Sequence, residues 1–89
     1  MTKKFYTVLL EWTDVQNGRI TDTGCEITLI TDDRQKAQEE FDRLVLDEKT
    51  QFGIDREIVS DCENYFHNHG EFPAETIIRI IEPNRTEVQ

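Results

Sequence analysis

The sequence predicts an α+β fold: a small antiparallel sheet packed against one long amphipathic helix, with a short second helix. Three observations predict it. Asn17-Gly18 lies between two runs of alternating side chains and is the strongest two-residue hairpin signal, because a type I′ turn needs positive φ at both central positions. Ala37, Phe41, Leu44 and Val45 fall at i, i+4, i+7 and i+8, one apolar stripe of a helix. The run "TIIRII" ahead of Pro83 is β-branched and stops where a strand must stop.

The hairpin is expected over residues 4–13 and 20–31. Counting outward from the turn gives a register that pairs Leu10 with Cys25, Val8 with Ile27 and Tyr6 with Leu29, and Trp12 continues that face. The opposite face carries Leu9 with Glu26, Thr7 with Thr28 and Phe5 with Ile30. Gly24, opposite Glu11, suggests a bulge or bend. Cys25 reads as a small core residue on the inner face.

The helix is expected over residues 32–51, with Asp32 as its N-cap, Gln35 three residues on, and Gly53 as its stop. Its Phe41, Leu44 and Val45 are expected to meet Val8, Leu10, Ile27 and Leu29. A short strand near 56–60 and a final strand at 76–82 complete the sheet. Residues 1–83 read as a single domain, and 84–89 as a polar tail.

The stretch "SDCENYFHNHG", residues 60–70, concentrates titratable side chains. As a helix near 61–69 it has Ser60 as N-cap, Glu63 three residues on and Gly70 as stop, and it gathers Cys62, Tyr65, Phe66 and His69 on one packing face. His67 then points about 160° from His69, so the two cannot share a metal. As a strand, the stretch aligns Glu63, Tyr65, His67 and His69 and turns Cys62 to the other face. The helix is the preferred reading, and no metal or other cofactor is expected. The alternative is a metal held by Glu63, His67 and His69, a ligand set at the lower end of what a tetrahedral zinc site wants.

No catalytic constellation emerges. Ser60, the only serine, lacks a glycine-flanked nucleophile turn. Asp61 and Glu63 flank Cys62, the reverse of the positive surroundings a reactive thiolate needs. The four glycines are too dispersed for a phosphate-binding loop. The chain reads as a non-enzyme.

Charge then sets the class of partner. Ten Lys and Arg against nineteen Asp and Glu give a net charge of −9 in 89 residues, which disfavours direct contact with nucleic-acid phosphates or anionic membranes and favours a basic protein. No segment reads as a signal peptide or a membrane span, and two cysteines in such a chain fit a reduced, cytoplasmic setting. Acidity is densest between residues 55 and 75. There Asp55, Glu57, Asp61, Glu63, Glu71 and Glu75 face Arg56 alone, and Tyr65 and Phe72 offer aromatic anchors. These acids and aromatics form the expected partner-binding patch.

The expected function is that of a small, non-catalytic binding or regulatory protein. Its sharpest form is an inhibitor, of the kind phages and mobile elements encode, that mimics nucleic-acid charge to block a host defence protein. A structural or accessory domain is the other reading. The second sheet face, with Phe5, Leu9 and Ile30, is a further contact surface, for a partner or for a homodimer.

Overall fold

Tyr6–Gln16 (β1) and Arg19–Thr31 (β2) form the first hairpin, closed by Asn17 at φ 54° and Gly18 at φ 77°, as a type I′ turn demands. The computed structural model describes residues 4–52, 56–70 and 73–83. After the hairpin come the helix Arg34–Phe52 (α1) and the strands Glu57–Asp61 (β3), Tyr65–His69 (β4) and Glu75–Ile81 (β5). Together they make a five-stranded antiparallel sheet in the order β2-β1-β5-β4-β3, an α+β fold. Gly53 and residues 84–89 lie outside the described residues. No described helix is long and apolar enough to cross a membrane.

The hairpin register departs from the one counted from the turn. Gln16 pairs with Arg19 and Val15 with Ile20 as expected, but β2 then carries two extra residues. Thr21 is bulged between the Val15 and Asp14 pairs, and Thr28 between the Leu9 and Val8 pairs. Both threonines also serve their bulges: Thr21 Oγ1 donates to Asp14 O and Thr28 Oγ1 to Val8 O, each at 3.4 Å. Each bulge moves the pairing by one residue, and side chains change face with it. Glu11, not Leu10, is opposite Cys25, and Leu9, not Val8, is opposite Ile27. Cys25 and Ile27 are therefore exposed on the face away from the helix, while Leu29 stays on the helix side opposite Val8. Gly24 pairs with Trp12, whose indole occupies the space a Cβ would need, so the glycine makes room for a ring rather than for a bend beside Glu11.

The second expected helix is absent among the described residues; residues 60–70 are the end of β3, a turn over 62–64, and β4 with the residue that follows it. β3 and β4 form a hairpin across 62–64, with Cys62 N donating to Tyr65 O at 2.8 Å. Ser60 is thus a strand residue and not a cap. Local propensity favours this outcome, since Asn, His, Tyr and Phe are all mediocre helix formers and the aromatics suit a strand. The sheet supplies the rest. β5 sits at its centre, and without β4 its second edge would leave backbone groups unpaired.

Helix α1 covers one face of this sheet. Ala37, Phe41 and Val45, one turn apart, bury against Val8, Phe66, Ile78 and Ile80. Across the strands Val8 is opposite Ile80, Leu10 opposite Ile78, and Ile78 opposite Phe66, which makes a continuous apolar layer. Each large member contributes about 1.5–3 kcal/mol by leaving water. The helix starts at Arg34, and its N-cap lies one residue later than expected. Asp33 is the N-cap: its Oδ1 accepts from Gln35 N at 2.9 Å and from Lys36 N at 3.4 Å, while its own N donates to Thr31 Oγ1. Asp33→Ala is expected to lower stability by about 1 kcal/mol, read by urea denaturation.

Under the C-terminal half of α1 the core becomes polar. Arg56 Nε donates to Asn68 Oδ1 at 3.0 Å and lies 3.3 Å from Glu48 Oε2. Asn68 Nδ2 donates to the same Glu48 oxygen at 3.0 Å, and Arg56 Nη2 reaches Thr76 Oγ1 at 3.4 Å. All four residues are buried. Gly70, expected as a helix stop, instead makes space for this network, because a Cβ there would stand 2.8 Å from Arg56 Nη1. Arg56 therefore does not offset the acidic surface around it; it neutralises Glu48 inside the protein.

Candidate functional site

The described members of the acidic patch fall on two faces. Glu57, Tyr65 and Glu75 lie on the open sheet face, with His69 and His67. Asp61 and Glu63 lie on the helix side, beside α1. Alternation explains the split: β3 and β4 send successive side chains to opposite faces, so one acidic segment feeds two surfaces. Asp55, Glu71 and Phe72 lie outside the described residues.

On the helix side the acids border a groove. Phe41, Val45 and Leu46 form its apolar part, Gln38, Asp42 and Lys49 line it from the helix, and Asp61, Cys62 and Glu63 close it from the β3–β4 turn. Its volume is about 480 Å³, within the usual range of ligand clefts, about 300–1,000 Å³. Leu46 is 64 % exposed, an uncovered apolar side chain in a groove that three carboxylates also line. The turn is held against the helix by Gln38 Nε2, which donates to Glu63 O at 2.8 Å and to Asp42 Oδ1 at 3.0 Å. Lys49 Nζ pairs with Asp61 Oδ2 at 2.8 Å and lies 5.7 Å from the centre of the Phe66 ring. Arg34 Nη2 lies 3.5 Å from Glu63 Oε1 and 3.7 Å from Glu82 Oε2, so one guanidinium faces two carboxylates. The side chain of Glu63 is still 82 % exposed, and solvent screens that pair heavily.

Sequence reasoning placed Asp61 and Glu63 in the patch and missed Asp42 and Leu46, which come from the helix. The signal for Leu46 was available. It is an apolar residue immediately beyond the Phe41, Leu44 and Val45 stripe, so burial against the sheet does not reach it.

The open face shows where the histidines go. His67 Nε2 is 2.8 Å from Glu75 Oε1, and His69 Nε2 is 3.1 Å from Glu57 Oε1. Arg79 Nε stands 3.2 Å from Glu11 Oε1, an ion pair too bent for a hydrogen bond. Glu63 turns instead toward Arg34 on the helix side, so the alternative ligand set of Glu63, His67 and His69 does not converge. Among the described residues no group of three or more His, Cys, Asp and Glu could hold a metal ion. Ile27, Ile30 and Ile81 are exposed on this face, and Phe5, just ahead of β1, is exposed as well. Leu9, in its centre, is buried by its neighbours.

Among the described residues one acid, the half-buried Glu40 on the side of the helix near Thr28 of β2, carries a resolved shift. Arg43 donates to both oxygens of Glu40, at 3.0 and 2.8 Å, and to Asp47 Oδ2 at 3.1 Å. This Arg43 fork holds the Glu40 carboxyl below its ordinary value, against the opposing effect of partial burial, with Thr28 also assisting. A carboxyl depressed on folding adds stability that is present above its unfolded pKa and lost as pH falls through its folded one. Arg43→Gln is therefore expected to raise the Glu40 midpoint toward the ordinary carboxylate range in a carbon-detected NMR titration. Stability near neutral pH should fall slightly, with the difference from the parent vanishing in acid.

Both thiols are free and exposed; Cys62 lines the groove and Cys25 lies in β2 outside it. Ser60 Oγ lies 3.5 Å from Cys62 Sγ. Comparisons of the chain with protein-family models, curated proteins and solved structures gave no match.

Proposed function

We propose that this is a small acidic binding or regulatory protein that works by contact with a basic protein partner and not by catalysis. The observation that carries the reading is the acid-bordered groove, which Asp42, Asp61 and Glu63 line together with the exposed Leu46. Carboxylates arranged around an apolar centre follow the usual anatomy of an interface, an apolar core inside a polar rim. The net charge of −9 speeds encounter with a basic surface. In its sharper form the protein is an inhibitor of the kind phages and mobile elements encode. Its carboxylates then occupy a surface that otherwise binds nucleic-acid phosphates.

Capture from native lysate by the wild type, beside an Asp42→Asn, Asp61→Asn, Glu63→Gln variant, tests both forms. The expected result is a basic protein retained by the wild type, lost by the variant and released by added duplex DNA. Equal retention by wild type and variant would overturn the reading. Retention that DNA does not disturb would overturn the mimic form alone.

A further inference from the structure

The groove has a polarity pattern that says more than acidity alone. Its floor is apolar and comes from one helix, through Phe41 and Val45, with Leu46 uncovered at its side. Its border holds Asp42 from the helix and Asp61 and Glu63 from the β3–β4 turn; Lys49 pairs with Asp61 and Arg34, outside the groove lining, faces the largely exposed Glu63, while among the described residues Asp42 meets only the Gln38 amide. A purely basic segment would satisfy the border and leave the floor wet. A purely apolar one would cover Asp42 without bringing it a cation, which costs free energy.

We infer that the groove seats a short extended segment of the partner protein, built from one large aliphatic or aromatic side chain with Lys or Arg on either side. The apolar side chain packs on Phe41, Val45 and Leu46, and the flanking cations pair with Asp42 on one wall and with Asp61 and Glu63 on the other. Charge complementarity selects the flanks, and the uncovered Leu46 selects the anchor. This inference rests on the proposed function and adds the chemistry of the segment that is bound.

Fluorescence anisotropy with two labelled peptides tests it: Arg-Lys-Leu-Lys-Arg and its glycine-centred counterpart Arg-Lys-Gly-Lys-Arg, each titrated to millimolar protein at low salt. The leucine peptide is expected to bind at least tenfold more tightly than the glycine peptide. Leu46→Ser should remove most of that difference, and because Leu46 is exposed the variant should keep its circular dichroism spectrum. The triple variant Asp42→Asn, Asp61→Asn, Glu63→Gln should weaken both peptides about tenfold. Equal affinity for the two peptides, or a leucine peptide indifferent to Leu46→Ser, overturns the inference while leaving a basic partner intact as the general reading. Absence of binding by either peptide also overturns it, whereas the general reading fails only if the capture experiment fails.

Discussion

Arg56→Met is expected to destabilise the protein by about 3–5 kcal/mol, because it leaves the Glu48 carboxylate buried without its cation. The guanidinium and the carboxylate are almost wholly enclosed, with side-chain exposures of 3 % and 9 %, so solvent cannot replace the lost partner. Asn68 and Thr76 lose hydrogen bonds in the same step. Whole domains are stable by only about 5–15 kcal/mol, so the variant should sit close to its unfolding threshold. Adding Glu48→Gln removes the stranded charge and keeps a polar group for Asn68, and should restore part of the loss. Urea denaturation of the three proteins reads this directly. Equal stability of Arg56→Met and the wild type would mean that the network contributes nothing to the fold.

Phe66→Ala is the second large expected effect, about 3–5 kcal/mol, from the loss of a fully buried ring between α1 and β5. For a domain of this size that corresponds to a fall in Tm of about 15 °C or more. The neighbours make the measurement informative about conformation. On strand β4, Phe66 and Asn68 face the core, while Tyr65, His67 and His69 do not. His69→Ala should therefore cost little, and Asn68→Ala should cost about 1–3 kcal/mol through the hydrogen bonds it leaves unmade. A helix would reverse that order, because His69 and not Asn68 would share a face with Phe66.

The long elements were legible because each rests on local signals that agree. Asn17-Gly18, the Ala37-to-Val45 stripe and the β-branched run ending at Ile81 all lie where the structure has a turn, a helix and a strand. The register failed because two bulges, at Thr21 and Thr28, leave no mark that alternation can read, and each one turns the rest of the strand over. Residues 60–70 failed because capping and spacing signals fit a short helix, while the decisive demand was non-local: β5 needs a partner on its second edge. Arg56 was misread as surface charge for a similar reason. Glu48, seven residues after Phe41, lay on the apolar stripe and signalled a buried acid in need of a cation. The groove was half legible, since Asp61 and Glu63 come from one acidic segment, but Asp42 and Leu46 join them only through the packing of the β3–β4 turn on the helix.

The two free thiols supply the most direct test of where a partner sits. Cys62 lines the groove and Cys25 lies in β2, so alkylation by N-ethylmaleimide at pH 8, read by mass spectrometry, compares two positions in one molecule. With the captured partner bound, the modification rate of Cys62 is expected to fall at least tenfold while that of Cys25 is unchanged. Protection of Cys25 with Cys62 still reactive would place the partner on β2 and the open sheet face, and would contradict the groove as the site of action.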